Sequence, residues 1–357
     1  MSSILILKTA ALGDVLRTTS ILPGLAARYR DARVTWVTAP GAVDLVRTHP
    51  LVATVEAVDV GSPASVESMT RKLGNVRWTR AISLDDERPL CQLASALDVE
   101  HLSGAYLDAR GERTYTPDTA PWFDMGLISR FGKETADRLK IENRKSHPQI
   151  YAEMLGIPMG KPSLALPEGS RAFARAFAAK HALRSRGVVI GLNTGAGGRW
   201  VSKQLSVERT VELAETLHID LAGRATFVVM GGASEVERNR AIVAGLRQSS
   251  TRVAFADSGC ENPLLEFAAL VALCDLLVTS DSLALHMAIA QDVRAVAFFA
   301  PTSAAEIELY GHGEKVASTA PDYCSYKADA DNSTITVARL RDAAMRQLSA
   351  PARATHA

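Results

Sequence analysis

Short apolar runs alternate with helical stretches twice along this chain, and that pattern leaves few folds open. In the first half the runs are "ILILK" (4–8), "RVTWVT" (33–38), "ATVEAV" (53–58) and "RAISL" (80–84). In the second they are "GVVIGLN" (187–193), "ATFVVM" (225–230), "RVAFA" (252–256), "DLLVTS" (275–280) and "VRAVAFF" (293–299). Runs this short and this rich in β-branched residues are strands buried on both faces, and strands separated by helices form a parallel, doubly wound sheet. Between the halves, "GIPMGKPSLALPEGS" is dense in proline and glycine and marks a linker. Two similar α/β halves about a linker imply a cleft. Residues 112–160 break the rhythm with mixed aromatic and charged residues and read as helical excursions that shape a substrate site.

At 357 residues the chain is longer than one core usually serves, which also favours two domains. Lys and Arg total 40 against 39 Asp and Glu, so no global field points to nucleic acid, and any basic site must be local. Cys91, Cys260, Cys274 and Cys324 are scattered with no C-x-x-C pair, which argues against a disulfide framework and a zinc site and fits a reducing cytoplasm. "MSSILILK" lacks the basic start and long apolar run of a signal peptide, and no run is long enough to cross a membrane. The expectation is a cytoplasmic protein with at most peripheral contact at the inner face of a membrane.

Ligands of such sheets gather at the carboxyl ends of the strands. The first strand ends in "TAALGD", whose single Gly13 cannot supply the G-x-G-x-x-G approach to a pyrophosphate, so a nicotinamide dehydrogenase is disfavoured. The loop presents Asp14 instead. In the second half, "GLNTGAGGRWVSKQLSVERT" follows a strand with a glycine loop, Arg199 and Lys203, and a helix starting near Ser206, a combination suited to cradling a diphosphate. "LLVTSDSLALHMAIA" runs from strand to helix with Asp281 at the junction and His286 five residues on. "MGGASEVER" offers Glu235 and Glu237 to ribose hydroxyls. Each of these acids also has an ordinary structural reading: Asp14 and Asp281 suit helix N-caps, and helix N-terminal glutamates complement the macrodipole. "DAD" at 329–331 matches the D-x-D of metal-dependent sugar transferases but falls in a polar loop, where solvation is the better reading.

"ILILKTAALGDVLRTTSILPGL", "GLNTGAGGRW…K", "GGASEVE" and "TSDSLALHMAIAQDVRAVAFFAPTSAAEIELYG" occur in the order found in glycosyltransferase family 9, the ADP-heptose:lipopolysaccharide heptosyltransferases and their relatives, which the chain resembles over roughly residues 3–312. The resemblance implies the GT-B fold, α/β, with two doubly wound Rossmann-like domains facing a central cleft. It implies inverting transfer of a sugar without a metal or other cofactor. Asp14 is then the catalytic base, Lys203 grips donor phosphate, and Asp281 and His286 lie at the nucleotide-sugar site. Asn193, Thr194, Gly195, Arg199, Glu235, Glu237, Asn262 and Ser282 complete the candidate donor set. Arg17, Lys140, Arg144 and Lys145, the last three in the basic segment "DRLKIENRKSH", are candidates for an anionic acceptor. Where many relatives carry D-[ST]-G, this chain has Leu283. Relatives with similar wording carry a cysteine cluster downstream, of which "DYCSYKADAD" keeps only Cys324.

The expected organisation is an acceptor-binding domain with the base over 1–165, a linker and helix over 166–186, a nucleotide-sugar domain over 187–335, and a closing helix and tail over 336–357. The expected partners are a nucleotide-activated sugar, such as ADP-heptose, and a glycan or glycolipid acceptor such as a lipopolysaccharide core, with no nucleic acid. A nucleotide-sugar epimerase of the same architecture and an inactive nucleotide-sugar-binding relative stay open beside the transferase.

Overall fold

The apolar runs form strands of two largely parallel sheets in a computed structural model that describes residues 2–198 and 200–351. In the first sheet β1 (Ser3–Leu7), β2 (Arg33–Thr38), β3 (Thr54–Ala57), β4 (Arg77–Ser83), β5 (Asp98–Leu107) and β6 (Arg113–Tyr115) take the order β3-β2-β1-β4-β5-β6. All pairs are parallel except β5 with β6. Strand β1 lies centrally, and its Ile4, Leu5, Ile6 and Leu7 are fully buried, as a strand covered by helices on both faces must be.

The second sheet repeats the plan with β7 (Val188–Asn193), β8 (Ala225–Met230), β9 (Phe255–Asp257), β10 (Leu276–Ser280), β11 (Arg294–Phe299) and β12 (Gly313–Ala317), in the all-parallel order β12-β11-β10-β7-β8-β9. Its core joins Phe227, Leu213, Leu276 and Leu340 from strands and flanking helices. Strands β5, β6 and β12 carry no strong apolar run. In β5 the first five residues are exposed or half-buried, so the burial signature that marks the inner strands is missing at this side of the sheet.

The chain divides into one unit of residues 1–165 with 305–308 and a second of residues 166–304 with 309–357. The helix Glu168–Lys180, read from sequence with the linker, packs on the helix Leu264–Val271 within the second unit. The short return of 305–308 to the first unit has no sequence signal. No helix among the described residues is long and apolar enough to cross a membrane.

Candidate functional site

In both sheets the strand order reverses beside the first strand of the unit, between β1 and β4 and between β7 and β10. At such a reversal the two following loops leave in opposite directions and open a crevice at the strands' carboxyl ends. Asp14, which follows β1, and Lys203 and Asp281, which follow β7 and β10, lie at these two places.

In the first unit the loop after β1 is pinned from β4. Asp85 pairs with the Lys8 ammonium and accepts from both the backbone N–H and the hydroxyl of Thr9, the latter at 2.9 Å, while Trp36 Nε1 donates to Lys8 O at 3.2 Å. The chain then enters the helix Leu12–Thr18. Its N-cap is Ala11, and Asp14 stands at the third helical position, so the N-cap reading of Asp14 is corrected. From there its Oδ2 accepts from Ala11 N at 3.3 Å and its Oδ1 lies 2.8 Å from Arg17 Nη2. The Asp14 side chain keeps 37% of its surface, enough to meet a substrate hydroxyl.

Arg17 was expected to face an acceptor. It is instead largely buried, held between the carboxylates of Asp14 and Glu306, the latter at 3.9 Å, and its guanidinium lies 5.6 Å from the centre of the Trp122 ring. Glu306 is fixed by its own main chain, whose carbonyl accepts from His147 N at 2.8 Å. Trp122, His147 and Tyr151 pack edge and face against one another, and burial there pushes the Tyr151 hydroxyl well above the ordinary tyrosine range. Burial, aided by the adjoining Asp85 charge, also holds the nearby Asp86 and Glu87 above the usual carboxylate range. The other candidates for the acceptor lie on exposed or half-buried chain. Arg144 donates to the carbonyls of Ile141 and Asn143 at the end of the helix Gly132–Glu142, Lys145 pairs with Glu153 at 2.5 Å, and Lys140 is half-buried on the same helix.

In the second unit, three side chains lock the reversal. Asn193 Nδ2, at the end of β7, donates to Gly195 O at 2.8 Å, to Thr279 Oγ1 at 2.9 Å and to Ser282 Oγ at 3.3 Å. Ser282, not Asp281, is the N-cap of the helix Leu283–Ala290, which frees the Asp281 carboxylate from capping. Lys203 reaches it across the crevice from a short 3-10 turn, Val201–Lys203, and its ammonium donates to Asp281 Oδ2 at 2.9 Å and to Asp281 O at 2.8 Å. Behind them the buried His286 Nε2 lies 3.9 Å from Asp281 Oδ1, beyond hydrogen-bond distance. Leu283 occupies the first turn of that helix.

The glycine loop differs from its sequence reading. Glu235 is buried to 2% exposure, and its two oxygens accept from Gly232 N at 2.8 Å and Gly197 N at 3.1 Å. The carboxylate expected to hold a ribose therefore anchors the loop, and the amide of Gly197, expected to face an anion, points at Glu235. Gly195 must be glycine because a Cβ there would come within 2.4 Å of the Glu235 carboxylate, and Gly197 adopts φ +79°. Glu237 is exposed and pairs with Arg240. Thr194 donates to Met230 O at 3.1 Å and to Asn239, while Asn262 donates to Ser258 O at 3.0 Å and shapes its own turn. Arg199 lies outside the described residues. The "DAD" acid Asp331 accepts from Ser333 N at 2.7 Å within its loop.

Arg238 escaped the sequence reading although it closes "GGASEVER". Its Nε donates to Thr194 O at 2.9 Å, and burial lowers its affinity for the proton, an effect opposed by Glu235 and Glu208. We expect Glu235→Ala to leave two loop amides without acceptors and to cost about 1–3 kcal/mol, readable as a lowered melting temperature, whereas Glu237→Ala stays within about 0.5 kcal/mol.

Two doubly wound α/β units, each with polar residues gathered at its strand reversal, give the chain the GT-B fold. It belongs to glycosyltransferase family 9 (heptosyltransferase), whose model matches residues 141–336, more than half of its length. Among solved structures it resembles a family 9 glycosyltransferase from Veillonella parvula at 19% identity, with 97% of both chains covered and a TM-score of 0.76. It also resembles ADP-heptose lipopolysaccharide heptosyltransferase II of E. coli (22% identity, 98% of both chains, TM-score 0.64). A third is E. coli heptosyltransferase WaaC with ADP (15%, 97% of this chain and 98% of that one, TM-score 0.59). At these identities the likeness is one of fold. No curated protein sequence matches the chain.

Proposed function

We propose that this glycosyltransferase moves a heptose from ADP-heptose to a lipopolysaccharide-core or related glycan acceptor, with inversion and without a metal, in the cytoplasm. The observation that carries the reading is the Lys203–Asp281 pair at the strand reversal of the second unit, beside the N-terminus of the helix Leu283–Ala290. An ammonium and a helix N-terminus together attract a diphosphate, and the adjacent carboxylate can accept hydrogen bonds from sugar hydroxyls. The heptosyl donor rests on family membership and on the likeness to the two E. coli heptosyltransferases.

Inversion needs an acceptor oxygen that attacks the anomeric carbon as the nucleoside diphosphate leaves from the opposite face. Asp14, part exposed and steadied by Ala11 N and Arg17, takes the proton from that oxygen. Lys203 stabilises the negative charge that grows on the departing phosphate. Arg17 acts through Asp14 by holding its carboxylate, which leaves recognition of an anionic acceptor to the exposed Arg144 and Lys145 and the half-buried Lys140.

The test is release of ADP from ADP-heptose in the presence of a deacylated lipopolysaccharide-core acceptor, with product stereochemistry read by NMR. Because phosphate neutralisation falls to Lys203, excess EDTA is expected to change the rate by less than about twofold. A rate lost on chelation and restored by magnesium would overturn the metal-independent reading. Conversion of the donor to an epimer with no acceptor present would favour the epimerase.

A further inference from the structure

Two aromatic rings that carry no assigned role lie beside Lys203. Trp200 directly precedes the turn Val201–Lys203, and the Lys203 ammonium lies 5.8 Å from the centre of its ring while remaining 2.9 Å from Asp281 Oδ2. The Tyr326 ring stands 6.4 Å from Trp200, nearly perpendicular to it at 79°. Both residues are half-buried. Asp281, Lys203, Trp200 and Tyr326 thus follow one another as neighbours from the strand reversal outward.

The loop that delivers Tyr326 is held firmly in an uncommon conformation. Cys324 and Tyr326 adopt φ of +63° and +55°, the left-handed region that non-glycine residues seldom enter and that persists only when the surroundings impose it. The surroundings are present. Cys324 N donates to Ala300 O at 2.9 Å and Tyr326 N to Pro301 O at 2.8 Å, which ties the loop to the end of β11. Ser202 donates to Ala328 O through its N–H at 3.1 Å and its hydroxyl at 2.9 Å, and Asn332 Nδ2 donates to Ser202 O at 3.1 Å and Gln204 O at 2.8 Å. The second pair of ties fastens the loop to the turn that carries Lys203.

We propose that Trp200 and Tyr326 form the wall against which the transferred sugar ring packs, with Asp281 and Lys203 reading its hydroxyls and its phosphate linkage. This rests on the donor-site reading given above. A pyranose presents one face of C–H groups and a rim of hydroxyls, and aromatic surface beside a few fixed polar groups matches both. The alternative occupant of an aromatic wall is the nucleobase. Position favours the sugar, because its anomeric carbon is bonded directly to a phosphate oxygen, whereas the base is separated from the diphosphate by the ribose. A ring next to the ammonium that grips the phosphate is therefore the sugar.

Calorimetry on the full chain with two probes, ADP-heptose and ADP, tests this. Trp200→Ala is expected to weaken ADP-heptose about tenfold and to leave ADP within about twofold, while Trp200→Phe recovers most of the loss. Tyr326→Ala, on the other loop, is expected to show the same selectivity and keeps the test decisive if Trp200→Ala does not fold. An equal loss for both probes would place the base or phosphate on the wall and overturn the proposal. Unchanged affinity for both would make the ring pair a packing element and overturn it equally. If the unsubstituted chain binds neither probe, the donor reading itself falls; if it binds both and the substitutions have no selective effect, only the sugar wall does.

Discussion

Asp14→Asn is expected to lower the transfer rate by about 10² to 10⁴ at neutral pH with folding and donor affinity retained. The side chain keeps its shape and one acceptor oxygen, so the bond from Ala11 N can be kept while the ion pair with Arg17 is lost. What disappears is the ability to take a proton. The cost in stability is small because Asp14 is partly exposed, and an i,i+3 pair of that kind contributes a few tenths of a kcal/mol, about 0.3. Asparagine can keep the bond from Ala11 N, so a purely capping role for Asp14 predicts no large kinetic loss. Melting temperature, donor affinity and initial rate measured on one preparation decide the matter. A variant that retains more than about a tenth of the rate would remove Asp14 from the chemistry.

The second large effect concerns the donor. Lys203→Ala is expected to weaken ADP binding by about 10- to 100-fold, since a charge-assisted contact to phosphate contributes roughly 1.5–3 kcal/mol. The geometry adds to this. With the ammonium gone, the Asp281 carboxylate, only 18% exposed, loses a cationic partner close to an incoming anion. Lys203→Arg is not expected to restore full affinity, because a planar fork cannot reproduce donation to both Asp281 Oδ2 and Asp281 O from one nitrogen. Calorimetric titration with ADP is the measurement. Affinity and rate that both stay unchanged would place Lys203 outside the donor site.

Glu306 follows from the same network in the first unit. It reaches Arg17 from the far end of the sequence and is joined to it only because residues 305–308 return to that unit. The consequence is that Arg17, read in sequence as a candidate for the acceptor, holds the Asp14 carboxylate. Charge alone does not distinguish these roles. Burial between two carboxylates does.

The sequence by itself determined the two-fold α/β plan, because inner parallel strands are buried on both faces and must be written as continuous apolar runs such as "ILIL" and "LLVTS". It also placed Asp14, Lys203 and Asp281 in the segments that follow strands, since strand, loop and helix succeed one another along the chain. It did not reveal β5, β6 or β12, whose partial exposure blurs that pattern. Nor could it say which acids were available to a ligand. Glu235 and Asp281 look alike as acids beside helix starts, yet the fold turns one inward onto the amides of Gly197 and Gly232 and leaves the other to Lys203. Lys203 and Asp281 stand 78 residues apart and meet because β10 lies beside β7, a strand order that no local pattern encodes. Trp200 and Tyr326 come together for a similar reason, through backbone hydrogen bonds that fasten one loop to the end of β11 and to the turn before Lys203. Local propensity is a property of neighbours in the chain, whereas the pairing of loops at a strand reversal depends on the whole sheet, and only the tertiary structure could decide it.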